Sequence, residues 1–163
     1  MVDVFLVLYA IDVLGISAPQ FGVLIAVQMT TAMLSYFPAA RLADRTGRKP
    51  FVVATFLAFS LFPIAVVASP SFGALVFAFV LGGLRELGEP ARKALIVGFA
   101  RAHLRARSIG LYYLLRSLAI TPAAFVGGLL WQRSPALPFL IAAGIGVVGT
   151  LVFIATVDEQ HAG

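Results

Sequence analysis

Hydrophobic residues in this chain gather into long runs that polar residues interrupt only briefly. Six runs stand out, at about residues 2–16, 21–40, 51–68, 72–95, 108–131 and 137–157. An apolar run of about 20 residues spans roughly 30 Å of hydrocarbon as a helix. The pattern therefore predicts an all-α integral membrane protein, a bundle of six helices. The first run is the exception: at 1.5 Å per residue it covers only about 22 Å and includes Asp3 and Asp12. It is expected to be the outer part of a span whose beginning is missing. Ser17 to Gln20, Ser69-Pro70-Ser71 and Ser134-Pro135 form uncharged turns, whereas residues 40–49 and 101–107 are basic loops.

Composition agrees with the membrane reading. Of 163 residues, 61% are hydrophobic and only 12% charged, and mean hydropathy is +1.01, far from an average soluble domain. A net charge of +5 would point to nucleic acid in a soluble protein, but here the cations lie between spans, so nucleic acid is discounted. Arg41, Arg45, Arg48, Lys49, Arg101, Arg105 and Arg107 fall on one side of the bundle against Arg133 on the other. The positive-inside rule then puts both basic loops and both termini in the cytoplasm. The absence of cysteine excludes disulfides, thiolate metal sites and a cysteine nucleophile. Without a basic residue ahead of its first apolar run, the N-terminus does not read as a cleaved signal peptide.

The first basic stretch, Ala40 to Lys49, reads ARLADRTGRK. It resembles the GxLaDRxGRK signature of the major facilitator superfamily of transporters, with matches at Leu42, Asp44, Arg45, Gly47, Arg48 and Lys49 and Ala40 in place of Gly. A small residue at Ala40 lets two helices approach, Gly47 ends the preceding turn where a Cβ would be strained, and Asp44 can cap a helix end. RELGEPARKALI, followed by RSIGLYYLLRSLAITPAAFVGGLLW, is similar to the fourth and fifth helices of such a half. The opening DVFLVLYAIDVLGIS is similar to the end of the seventh helix in bacterial members. The resemblance implies the C-terminal six-helix half of a bacterial transporter in the cytoplasmic membrane. Ala119, Ala123, Gly127 and Gly128 resemble the family's GxxxGPxxGG antiporter pattern with substitutions, and small residues at this spacing permit close helix packing.

Candidate chemistry is carried by a few charges. Arg116 lies about 12 Å into the bilayer, counting from Ser108. An unpaired charge there costs at least about 2.5–3.5 kcal/mol, so it should face a bundle interior, a partner or water. Tyr112 and Tyr113, one turn earlier, share its face. Arg116 then either lines the transport pathway or forms a buried structural salt bridge. Arg85, Glu89 and Arg92, with Glu86 and Lys93 on the neighbouring stripe, are spaced to pair along one helix, and Pro90 predicts a kink. That network reads either as an intracellular gate, with Asp44 and Arg45 as partners, or as a static brace. Glu86 and Glu89 are candidate protonation sites, although neighbouring cations oppose the raised pKa that role needs.

The functional expectation is a secondary carrier moving a small-molecule substrate outward. It has no catalytic residue, no metal and no bound cofactor, and a proton or sodium gradient could drive it. Expected partners are membrane lipid and either a second six-helix half or a second copy of this chain, with alternating access by rocking. The rival readings are a truncated non-transporting fragment, a membrane interaction or regulatory subunit, and a homodimerising half-size carrier. An enzyme is not expected, because no nucleophile and base, ligand cluster or phosphate-cradling loop is present.

Overall fold

A computed structural model describes residues 2–47, 49–99, 103 and 105–157, with the backbone alone at 2–4, 44, 46, 95 and 99. Helix α1 (Val2–Leu8) runs into a π-helical turn (Tyr9–Val13) and is followed by α2 (Ala18–Thr46) and α3 (Lys49–Val67). Next come α4 (Phe72–Gly83), a 3-10 turn (Leu84–Glu86), α5 (Glu89–Phe99), α6 (Arg105–Arg133) and α7 (Leu137–Thr156). No strand occurs among the described residues. Helices α2, α3, α6 and α7 are long and apolar enough to cross a membrane. The chain is an α-helical membrane protein.

The uncharged turns act as helix starts. Ser17 caps α2 by accepting from the Gln20 amide while the Gln20 side chain accepts from the Ser17 amide, a reciprocal capping box. Ser71 caps α4 by accepting from the Ala74 amide. At the other end of α2, Gly47 has φ +99 and its amide donates to the Ala43 carbonyl, the glycine stop its sequence position predicts.

Two local expectations are corrected. Residues 40–49 are not a loop: α2 continues through Thr46 and α3 begins at Lys49, because Ala, Arg and Leu are good helix formers and only Gly47 interrupts them. Helix α6 passes through Pro122 as one continuous helix. The Thr121 hydroxyl donates back to the Ser117 carbonyl, while the carbonyl that Pro122 leaves without its amide donor is that of Leu118. The fourth segment does not merely kink. It breaks into α4 and α5, with Pro90 in the first turn of α5, where a missing N–H is harmless.

Glycines set this break. A Cβ at Gly82 would come 2.8 Å from the Phe62 ring, one at Gly83 2.6 Å from the Gln28 carbonyl oxygen, and one at Gly88 2.4 Å from the Phe51 carbonyl oxygen. The chain thus passes between α2 and α3 at backbone distance, and the Gly88 amide donates to the Thr55 hydroxyl at 2.6 Å. The main core lies at the end of the bundle away from the basic connectors. It joins Phe5, Tyr9, Leu24, Phe62, Phe79 and Phe139, with Trp131 stacked on Phe5 at 5.5 Å between ring centroids. A smaller cluster of Ala43, Val52 and Ala91 fills the opposite end.

Helices α3 and α7 cross closely where Gly146 meets Ser60: an added Cβ would lie 2.4 Å from the Ser60 Oγ, whereas one at Gly144 meets nothing within 4 Å. Gly146→Leu should therefore destabilise the detergent-solubilised protein by about 1–3 kcal/mol, as overpacking does, while Gly144→Leu leaves it nearly unchanged. Thermal unfolding of the two variants side by side checks this, and equal melting points would contradict the crossing.

Candidate functional site

Glu89, the first residue of α5, is a carboxylate drawn into the bundle, its side chain 17% exposed. Three donors surround it: Arg92 pairs with it one turn along α5, Lys93 Nζ lies 3.4 Å away, and the Tyr113 hydroxyl donates from α6 at 3.4 Å. A charge removed from water needs such partners, because solvation is lost whether or not they are present. Tyr113 also makes this cluster a link between α5 and α6.

Arg92 has a second face. One guanidinium nitrogen is used on Glu89, but its Nε is buried with no hydrogen-bond partner, a state that costs about 1–3 kcal/mol for an unsatisfied donor. The side chain borders a cavity of about 210 Å³ with Tyr112, Val52, Phe56, Ile96 and Phe153. Arg85 lies in the 3-10 turn of the helix break and is buried. Its guanidinium sits over the Phe62 ring at 4.5 Å and Phe59 at 5.2 Å, and its Nε donates to the Gly82 carbonyl. Cation–π contact and a backbone acceptor thus give this cation an apolar site. Glu86 is exposed.

Arg116 occupies a different environment. It is exposed midway along α6, with Ser117 and Thr121 exposed beside it. Helix α6 is held mainly near its ends, by Tyr113 on Glu89 and by Trp131 on Phe5 and Tyr9. Of the spanning windows, 6% of α6 and 11% of α2 are buried, against 39% of α3, so α2 and α6 present the uncovered faces. The three residues that share a turn in sequence therefore fan apart: Tyr113 reaches Glu89, Tyr112 lines the Arg92 cavity, and Arg116 points outward. The tyrosine rings themselves meet edge to face at 5.3 Å.

Of the signature residues, Arg45 lies exposed in the last turn of α2, and Lys49 Nζ donates to the Ile154 carbonyl at the end of α7. Arg48 and Arg101 lie outside the described residues, as does the side chain of Asp44. Among the described residues, no group of three or more His, Asp or Glu could hold a metal ion. Sequence reasoning missed Thr55, Phe59 and Phe62, which hold the break and Arg85, because nothing local pairs Thr55 with a glycine 33 positions on. It also missed Gln28, whose Oε1 is buried without a partner. Its one visible signal is an amide inside an apolar run.

Comparison with known proteins adds the family context. The family model of the Major Facilitator Superfamily matches residues 1–162. An uncharacterised MFS-type transporter of Methanocaldococcus jannaschii is 25% identical over 118 residues, 72% of this chain and 30% of that protein. The quinolone resistance protein NorA of Staphylococcus aureus (strain Mu50) is 22% identical over 147 residues, 90% of this chain and 38% of that protein. The chain thus spans between a quarter and two-fifths of the length of these relatives.

The contact between α5 and α6 is directly testable. Tyr113→Phe should cost about 0.5–1.5 kcal/mol in the native background and close to nothing in a Glu89→Ala background, which leaves the hydroxyl no carboxyl or amide oxygen to donate to. A double-mutant cycle by denaturation of the solubilised protein reads the difference, and equal costs in both backgrounds would show that the two side chains are uncoupled.

Proposed function

Since this chain belongs to the major facilitator superfamily of membrane transporters, we propose that it forms a six-helix half of a secondary carrier exporting a small solute across the bacterial cytoplasmic membrane. Both termini and both basic connectors are cytoplasmic in this reading. The observation that carries it is the exposed Arg116 in the middle of a long apolar helix. Facing lipid, that charge would cost at least about 2.5–3.5 kcal/mol. It is therefore assigned to a polar pathway closed by a second six-helix unit, either a further half or a second copy of this chain, packed on α2 and α6.

In such a pathway, Arg116 binds an anionic group of the solute or neutralises a carboxylate on the facing unit. The cluster of Glu89, Arg92, Lys93 and Tyr113, which bridges α5 and α6, is the part of the site that can exchange partners as the halves rock. The chemistry is binding and conformational change, powered by a proton or sodium gradient. The name of the NorA relative, a quinolone resistance protein, supports export of an organic, drug-like molecule as the first substrate class to try.

The test is accumulation of a fluorescent quinolone in bacterial cells expressing the full reading frame that contains this chain. Native protein should lower accumulation, an uncoupler should restore it, and Arg116→Ala should bring it back to the level of cells lacking the protein, with Arg116→Lys in between. Accumulation that Arg116→Ala leaves at the native level would remove this residue from the pathway.

A further inference from the structure

Two opposite charges, Glu86 and Arg116, lie at one height in the bundle. The Tyr113 hydroxyl of α6 meets the Glu89 carboxylate of α5 at 3.4 Å, and the short connection between these two helices makes them antiparallel neighbours. Glu86, three residues before Glu89, and Arg116, three residues after Tyr113, are therefore displaced in the same direction, by about 4.5–6 Å and about 4.5 Å. The distances from the helix starts agree. Glu86 lies about 21 Å from Phe72 at one end of the bundle and Arg116 about 12 Å from Ser108 at the other, so in roughly 30 Å of hydrocarbon their levels differ by only about 3 Å. Residues three apart on a helix share a face, and the chain stays helical at Leu87, with φ −52 and ψ −45. Both charges thus flank the seam that the contact between Glu89 and Tyr113 closes one turn away.

At the level of Glu86 and Arg116 the seam is open. Both residues are exposed, and the ion pairs of this region, Arg92 and Lys93 on Glu89, use neither of them. Arg85 is engaged elsewhere, over Phe59 and Phe62. A charge so far inside a membrane is costly against lipid, and two of opposite sign at one level mark a polar space between them. Met33 of α2, 72% exposed, is one residue past the Ala32 amide that Gly83 approaches, so an adaptable apolar side chain stands near the same height.

We propose that Glu86 and Arg116 are the two poles of one solute site and that its ligand is zwitterionic, an organic molecule whose carboxylate pairs with Arg116 and whose ammonium pairs with Glu86. The proposal rests on the reading of this chain as half of an exporter and names the class of solute. A molecule carrying both charges satisfies both poles when it displaces water from them. A molecule with one charge leaves the opposite pole desolvated and unpaired.

Three forms of one quinolone test it: the zwitterion with a free piperazine, its N-methylamide, which keeps only the cation, and its N-acetyl derivative, which keeps only the anion. Efflux from preloaded cells expressing the full reading frame that contains this chain is followed by mass spectrometry. Native protein should export the zwitterion about ten-fold faster than either derivative, since each derivative loses a charged hydrogen bond. Glu86→Gln should lose the preference over the N-acetyl derivative and retain that over the N-methylamide, and Arg116→Gln should do the reverse. Equal native export of all three forms would overturn the zwitterion site and leave export standing. So would variants that slow all three by one factor, as loss of a static ion pair or of ion coupling does. Efflux of every form at the level of cells lacking the protein would overturn the export reading, and this site with it.

Discussion

The structure depends on backbone meeting backbone where α4 gives way to α5. A helix that breaks inside a membrane leaves amides and carbonyls that lipid cannot satisfy, so a break survives only where protein covers it. Here α3 provides that cover: Thr55 accepts from the Gly88 amide, and Gly82, Gly83 and Gly88 bring the chain so close to α2 and α3 that no side chain would fit. The break in turn gives two cations different surroundings. Arg85 lies buried over Phe59 and Phe62, while Arg92 faces Glu89 and the cleft.

From this follows a division between the two ends of the bundle. The end away from the basic connectors is filled by interlocking aromatics, Phe5, Tyr9, Phe62, Phe79, Phe139 and Trp131. At the other end the packing is smaller, a cleft is present, and helices are joined by a polar cluster, Glu89 with Arg92, Lys93 and Tyr113. Close-packed aromatic contacts have few alternative arrangements. Ion pairs and hydrogen bonds between helices can change partners at modest cost.

Much of this was legible in the sequence, for identifiable reasons. Hydrophobic runs exceed what a soluble core requires, so the membrane class and the helical class follow from composition, and the two ends of α2 and the start of α4 fall at Ser17, Gly47 and Ser71. The charge cluster on α5 was visible because its spacing is local, Glu89 to Arg92 and Lys93. What escaped is non-local. The complete break in the fourth segment depends on Thr55 and Phe51, and the cavity beside Arg92 depends on α3 and α7. The expected sharing of one face by Tyr112, Tyr113 and Arg116 is a statement about a single helix. Neighbouring helices assign each of the three a different surrounding.

The central claim is that the uncovered middle of α6 faces a watery pathway and not lipid. Because the chain has no cysteine, a single Ser117→Cys substitution gives one reporter there, with Val148→Cys on the exposed face of α7 as the reference. Thiols react as thiolates, which water supports and hydrocarbon does not. The rate of modification by a membrane-impermeant, charged thiol reagent in membranes that expose both sides is the measurement. The account predicts rapid modification of Ser117→Cys and little of Val148→Cys; a Ser117→Cys thiol as unreactive as that at Val148→Cys would contradict it.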